Sequence, residues 1–202
     1  MLFDLDGVLV DSVRVVERVW RRWAREQHLG AEEVLAAVHG RRAQDVVGMF
    51  APHLDLAQQV LRITRYEAQD RGELAVMPGA RECVSVASLS RWAVVTSGGR
   101  ELAAGRLAAV SLPAPDVLVT GDDVARGKPD PEPYQRAARA LAVPPAECVV
   151  VEDAPAGVLA GKRADMTVLA VTTTHQAAAL AHADLVFSNM HDITRYLRSA
   201  TR

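Results

Sequence analysis

The chain has 202 residues, half of them hydrophobic, which is enough to bury a core and to form a main domain with a smaller insertion. Its 23 Lys and Arg nearly balance its 25 Asp and Glu, which argues against a chain built as a whole to bind nucleic acid or a membrane surface. The two cysteines, Cys83 and Cys148, lack the spacing of a zinc site or a disulfide framework. Since we find neither a membrane-length apolar stretch nor a leader segment, we expect a cytoplasmic protein.

Short apolar segments alternate with segments of helical period along most of the chain, as in parallel sheets covered by helices. The predicted strands are 2–5, 92–96, 117–120, 148–152, 167–171 and 185–187. The predicted helices between them are 80–89, 101–109, 132–141, 156–164 and 176–181. This alternation predicts an α/β fold with a Rossmann-like, doubly wound parallel sheet.

The segment 12–78 interrupts the alternation, because it contains no convincing strand and has the pattern of about four consecutive helices. Its first helix has an apolar stripe that includes Trp20 and Trp23, which indicates packing within the segment. The turn signal Met-Pro-Gly follows at the end of the segment. We therefore expect an all-helical cap over 12–78, inserted into a core formed by 1–11 and 79–202.

The first motif, FDLDGVLVDS, places two carboxylates two residues apart, where an apolar strand meets a glycine turn. Because alternate residues of an extended strand share a face, Asp4 and Asp6 are expected to point into one crevice. Such carboxylates repel each other unless a cation lies between them or one holds a proton. The plainer alternative is that they cap a turn. Only two strand residues precede Asp4, whereas a buried strand usually has about five, so we expect residues upstream of Met1.

Three later segments also place polar groups at strand ends or helix starts. WAVVTSGG ends a strand in Thr96, Ser97 and Gly98 just before a helix, and free amides at a helix start form an anion site. GKPDPEPY places Lys128 before a helix that begins with prolines, where an ammonium group can neutralise an anion. Taken singly, a Thr-Ser-Gly-Gly turn is usually no more than a turn, and a single lysine in a loop is mostly exposed to solvent.

The last of these segments, VVVEDAPAG, ends an apolar strand in two adjacent acids, Glu152 and Asp153. Paired carboxylates at a strand end are ligands suited to a hard cation. Plain solvation of a loop is the alternative interpretation.

Together and in this order, the four motifs resemble those of the haloacid dehalogenase superfamily. The motifs are an Asp-x-Asp-Gly, a strand ending in Thr or Ser, a Lys, and a strand ending in an acidic pair. The resemblance spans the whole chain and includes the helical cap after the first motif. It implies a phosphatase that acts on a small phosphorylated metabolite. On this basis we expect a monomer with no nucleic-acid or membrane partner.

The resemblance also implies roles for individual residues. Asp4 would be the nucleophile that forms an aspartyl phosphate, and Asp6 the general acid and base. Thr96 would hold a phosphate oxygen together with the amides of Ser97 and Gly98. Lys128 would balance the negative charge of Asp4 and the phosphate.

The resemblance further implies that the cofactor is Mg²⁺. Its ligands would be Asp153, the Asp4 carboxylate and the main-chain carbonyl of Asp6, with Glu152 close by or contributing through water. The cation is needed because a carboxylate must approach a phosphate, and near 4 Å that repulsion is about 4 kcal/mol at an effective dielectric of 20.

Three functions remain open within this resemblance. The cap stretch HGRRAQD is similar to that of the 2-deoxyglucose-6-phosphatase and glycerol-phosphatase group, so Arg42 and His39 would face the substrate. Alternatively, Arg42 is a surface residue at a helix start and His39 a packed side chain.

The second possible function is that of a β-phosphoglucomutase-like mutase, although that branch normally has a histidine where this chain has Val16. The third, a non-catalytic binding protein, conflicts with the complete set of motifs.

Overall fold

The computed structural model describes residues 1–70, 72 and 74–200. In chain order the elements are β1 (Leu2–Phe3), β2 (Val10–Asp11), α1 (Val13–Glu26), α2 (Ala31–Val38), α3 (Ala43–Phe50), α4 (Leu56–Gln69), β3 (Ala75–Val76), α5 (Ala80–Ala87), β4 (Ala93–Val95), α6 (Arg100–Ala109), β5 (Val117–Val119), α7 (Glu132–Leu141), β6 (Val149–Glu152), α8 (Pro155–Arg163), β7 (Thr167–Val171), β8 (Leu185–Phe187) and α9 (Met190–Ala200). Short 3₁₀ turns cover Gly121–Asp123, Pro145–Glu147 and Ala177–Leu180.

A six-stranded parallel sheet forms the centre, in the order β5-β4-β1-β6-β7-β8. Successive strand residues point to opposite faces. Leu2 therefore packs on one face with residues of α7 and α8, while Phe3 packs on the other with residues of α5, α6 and α9. Helices on both faces of a parallel sheet confirm the predicted α/β, doubly wound fold.

The helices α1 to α4 follow one another between β2 and β3 and share an apolar cluster of their own. Trp23 lies fully buried in this cluster, and its indole N–H donates to Gln59 Oε1 at 3.1 Å. None of the helices in the described ranges is long and apolar enough to cross a membrane.

Several predicted elements differ from those observed. The prediction of no strand within 12–78 is wrong at its end, because β3 pairs antiparallel with β2. Two-residue strands are too short to produce a periodic pattern. The predicted helix 176–181 is a short 3₁₀ turn, since one turn of helix does not repay the cost of nucleation. The first strand ends at Phe3 rather than at residue 5, and α9 was not predicted.

Candidate active site

Three central strands end close together and carry the predicted residues. Asp4 follows β1, Thr96 follows β4, and Glu152 is the last residue of β6. Since β1 lies between β4 and β6 and all three are parallel, their carboxyl ends meet at one edge of the sheet. Strands β4 and β5 lie on one side of β1, and the later strands β6, β7 and β8 lie on the other. Open α/β sheets bind their ligands at such a point, where the strand order changes direction.

Lys128 occupies the centre of the site, with only 1% of its side chain exposed. Its Nζ donates to Asp4 Oδ1 at 2.5 Å, to Glu152 Oε1 at 2.6 Å and to the main-chain oxygen of Val95 at 2.9 Å. Burial acts to lower the pKa of Lys128, but the charges of Asp4 and Glu152 outweigh it and raise the pKa above its ordinary value. Lys128 is therefore a cation at neutral pH.

The acidic groups around Lys128 outnumber it. One carboxylate oxygen from each of Asp4, Glu152 and Asp153 lies within 4.8 Å of the others, and all three residues are buried. Burial raises the pKa of Asp4 to about 8, although the charge of Lys128 opposes the rise. The pKa of Asp153 is also raised, mainly by burial and to a smaller extent by the negative charges of Glu152 and Asp4. To stay ionised at neutral pH, this cluster needs a further positive charge.

Glu152 differs from the other two acids because both of its oxygens are already hydrogen-bonded. Oε1 accepts from Lys128 and from the Tyr134 hydroxyl at 2.8 Å. Oε2 accepts from the main-chain amides of Asp153 and Ala154 at 3.0 and 3.2 Å. Glu152 thus anchors Lys128 and the start of the following loop, which leaves Asp4 and Asp153 with more capacity to bind a cation.

Gly157 in α8 makes room for Glu152, because a Cβ at this position would overlap the Glu152 carboxylate. We expect Gly157→Ala to lower the free energy of unfolding by about 1–3 kcal/mol, since the overlap must displace Glu152 from its partners. Gly105→Ala in α6 is the matched control: with nothing within 4 Å of its Cβ, it should stabilise the protein by about 0.5–1 kcal/mol. Urea unfolding followed by tryptophan fluorescence compares the two variants. A stable Gly157→Ala protein would contradict the packing described here.

A pocket of about 400 Å³ opens beside this cluster and is lined by residues of the core and of the helical segment. From the side of the sheet, the lining includes Asp4, Asp6, Thr96, Ser97 and Gly98. The Gly98 amide donates to Thr96 Oγ1 at 3.1 Å, and the Ser97 hydroxyl donates to the main-chain oxygen of Gly40 at 2.9 Å. The second of these bonds links the strand end to the helical segment.

Asp6 lies in the same pocket but is not part of the three-acid cluster. Its Oδ1 accepts from the Ser12 hydroxyl at 2.5 Å and from Arg106 Nη1 at 2.7 Å. Arg106 in turn contacts Glu67 of α4 through Nη2 at 3.3 Å. Arg106 was not among the predicted site residues. Its position was nevertheless a signal, because at helical spacing from Ala103 and Leu107 it places a charge on the buried, apolar face of the helix.

The two predicted cap residues also line the pocket. Arg42 is only 7% exposed, so the interpretation as a surface residue is wrong. Its guanidinium pairs with Asp45 and donates to the main-chain oxygens of Val124 and Ala125 at 3.0 and 3.1 Å. The His39 ring meets the His175 ring edge to face, with 6.0 Å between centroids. Both residues therefore join the helical segment to loops of the sheet domain.

Asp153 has a hydrogen-bond partner, Thr174, that was not among the predicted site residues. The Thr174 hydroxyl lies 2.6 Å from Asp153 Oδ2 and 2.9 Å from the Asp153 main-chain oxygen, and His175 Nδ1 lies 2.9 Å from that hydroxyl. Thr174 follows β7, the strand next to β6, which explains its proximity. These contacts fix the orientation of the Asp153 carboxylate.

Comparisons with known proteins identify the family and the relatives of this chain. The family model described as haloacid dehalogenase-like hydrolase matches residues 1–165. Hexitol phosphatase A of Escherichia coli (strain K12) is 43% identical over 198 residues, covering 96% of this chain and 92% of that protein. Glycerol-1-phosphate phosphohydrolase 1 of Saccharomyces cerevisiae is 33% identical, covering 86% and 74%. The crystal structure of a hydrolase from Pseudomonas syringae is 26% identical and superposes with a TM-score of 0.86, covering 98% and 96%.

Proposed function

The chain belongs to the haloacid dehalogenase-like hydrolase family, and we propose that it is a phosphatase that hydrolyses a sugar or polyol phosphate through Asp4. The observation that carries the proposal is the buried pair of Asp4 and Lys128 beside the pocket. The names of the relatives support the substrate class, since one is a hexitol phosphatase and another a glycerol-1-phosphate phosphohydrolase.

In the proposed reaction, Asp4 attacks the phosphorus through its carboxylate and takes the phosphoryl group as an aspartyl phosphate. Lys128 donates a hydrogen bond to Oδ1 of Asp4, and the positive charge of Lys128 offsets the negative charge of the incoming phosphate. Thr96, with the amides of Ser97 and Gly98, would contact the phosphate oxygens. Asp6 would protonate the leaving oxygen and then take a proton from the water that hydrolyses the aspartyl phosphate.

We propose Mg²⁺ as the cofactor, because the cluster has an all-carboxylate donor set, the kind that hard cations prefer, and an excess of buried negative charge. Asp4 and Asp153 would hold the ion with the main-chain oxygen of Asp6. Glu152, whose oxygens are occupied, would contribute through water or by orienting Lys128. When bound, the ion supplies charge that lets an anionic nucleophile approach an anionic phosphate.

We also propose that residues 1–11 and 79–202 form the core and that residues 12–78 form a cap. The separate apolar cluster of α1 to α4 and the two-strand junction of β2 with β3 support this division. The cap would close over the pocket through its contacts at Gly40, Arg42 and His39, and so exclude bulk water from the reaction. A pocket of this size favours small metabolites.

Removal of divalent metal should abolish phosphate release. We expect activity to fall at least about 100-fold after treatment with EDTA and dialysis, because the acidic cluster then repels the substrate phosphate. Activity should return with Mg²⁺ at millimolar concentration but not with the same concentration of Na⁺. Malachite-green detection of phosphate provides the measurement. Full activity in the metal-free protein would rule out the proposed role of the cluster.

A panel of phosphomonoesters tests the substrate class. We would measure phosphate release from sorbitol 6-phosphate, glycerol 1-phosphate and 2-deoxyglucose 6-phosphate, and glucose 6-phosphate formation from β-glucose 1-phosphate. The proposal expects free phosphate from the polyol or sugar phosphates. Formation of glucose 6-phosphate with little free phosphate would establish the mutase instead, despite Val16. No turnover of any of these compounds would favour a binding protein.

A further inference from the structure

Arg106 is a buried cation on a helix face that is otherwise apolar. Its side chain is 4% exposed, and it lies on α6 beside the buried residues Ala103 and Leu107. A buried ion pair adds little net stability compared with well-packed apolar side chains, so packing alone does not account for an arginine here. Arg106 lines the pocket together with both of its acidic partners, Asp6 and Glu67.

The side-chain hydrogen bonds of Asp6 are all made through one carboxylate oxygen. Oδ1 accepts from Arg106 and from Ser12, whereas Oδ2 has no hydrogen-bond partner among the described residues. Two donors on the same oxygen fix the carboxyl group, and the other oxygen stays available for proton transfer. The Asp6 side chain is 24% exposed at the pocket, so substrate and water can reach it.

Arg106 is itself held by a residue of the helical segment. Its Nη1 contacts Asp6 and its Nη2 contacts Glu67 of α4, whose side chain is 13% exposed. The planar guanidinium presents these two donors in a fixed fork, so a movement of Glu67 is transmitted to the group that holds Asp6. The three residues thus connect α4, α6 and the loop after β1.

We propose that Arg106 is a positioning residue that holds Asp6 through Oδ1 for proton transfer, and that Glu67 completes this arrangement only while α4 lies against α6. The inference rests on the proposed function, in which Asp6 gives a proton to the leaving alkoxide as the phosphorus–oxygen bond breaks. The proton from the attacking water later restores Asp6. Docking of α4 against α6 and alignment of the Asp6 carboxyl group are therefore coupled.

The test compares two substrates that differ in their need for an acid. An alkoxide leaving group such as that of sorbitol 6-phosphate needs protonation, whereas p-nitrophenolate leaves without it. We expect Arg106→Met to lower kcat/KM for sorbitol 6-phosphate about 100-fold, and that for p-nitrophenyl phosphate less than about 10-fold. Slow hydrolysis of the aspartyl phosphate should also produce a burst of p-nitrophenolate in stopped-flow records. Glu67→Gln should change the same ratio in the same direction by a smaller factor.

The double variant of Arg106→Met and Glu67→Gln should be no worse than Arg106→Met alone, because Glu67 acts through Arg106. Arg139→Met, at an exposed position of α7, is the matched control and should leave the substrate ratio unchanged. If Arg106→Met does not fold, Arg106→Lys carries the test, since an ammonium cannot span both acids and should shift the ratio partly.

Equal losses on both substrates without a burst would overturn the inference, since that result means substrate contact or a purely structural role. A different result would refute the proposed function itself. If p-nitrophenyl phosphate turnover by the wild-type protein does not require Asp4, the phosphatase mechanism is wrong whatever Arg106 does.

Discussion

Replacing Asp4 with asparagine should lower kcat for the preferred phosphomonoester at least about 10⁴-fold, because the amide cannot form an aspartyl phosphate. The loss should appear in kcat rather than in KM alone, since the site that binds phosphate remains. The fold should survive, because Lys128 keeps its contacts with Glu152 and the Val95 oxygen. Steady-state phosphate release, with circular dichroism to check folding, provides the measurement.

A second aspartate controls for the general effect of an Asp-to-Asn change. Asp165 is exposed and has a positive φ of 58°, a conformation that asparagine tolerates as well as aspartate does. We expect Asp165→Asn to retain wild-type activity. Turnover by Asp4→Asn within about 10-fold of wild type would refute Asp4 as the nucleophile. Trace activity from contaminating phosphatases is measured in a mock purification from cells that do not express the variant.

Lys128→Met should both abolish activity and lower the free energy of unfolding by about 3–5 kcal/mol, because it removes the cation shared by two buried carboxylates. Methionine has a similar length, so the loss reports charge and hydrogen bonds more than packing. In sign, the destabilisation should be largest above about pH 8 and should shrink as the pH falls below that value. Burial already raises the pKa of Asp4 to about 8, and without Lys128 that pKa should rise further, so the neutral form is reached more readily as pH falls.

The other lysine of the chain is the matched control. The sequence contains only Lys128 and Lys162, and Lys162 pairs with Asp184 at the surface, with side chains 36% and 40% exposed. We expect Lys162→Met to change stability by no more than about 1 kcal/mol and to leave activity intact. Guanidinium unfolding curves at several pH values compare the variants. Equal unfolding midpoints for the two lysine variants would contradict the buried charge network.

The resemblance predicted from the four motifs is confirmed by the family model and by the relatives, and the sheet architecture is confirmed as well. Helix α7 and strand β7 were predicted to the residue, because each is a single apolar pattern bounded by proline, glycine or a turn. Helix α9 was missed at the chain end, where no following strand marks it. The roles of Asp4, Asp6 and Lys128 stay predictions until the experiments above are done.

What the sequence by itself determined was local: which segments are strands and helices, and that polar groups stand where those strands end. Strand parity and helical period are properties of neighbouring residues, and parallel strands bring their ends to one edge. The resemblance of the four motifs to the haloacid dehalogenase superfamily then implied that Asp4, Thr96, Lys128 and Asp153 belong to one site. Only the tertiary structure decided which distant charges meet. Asp6 and Arg106 are 100 residues apart and Arg106 and Glu67 are 39 apart, and their contact depends on how helices pack, which no local pattern encodes.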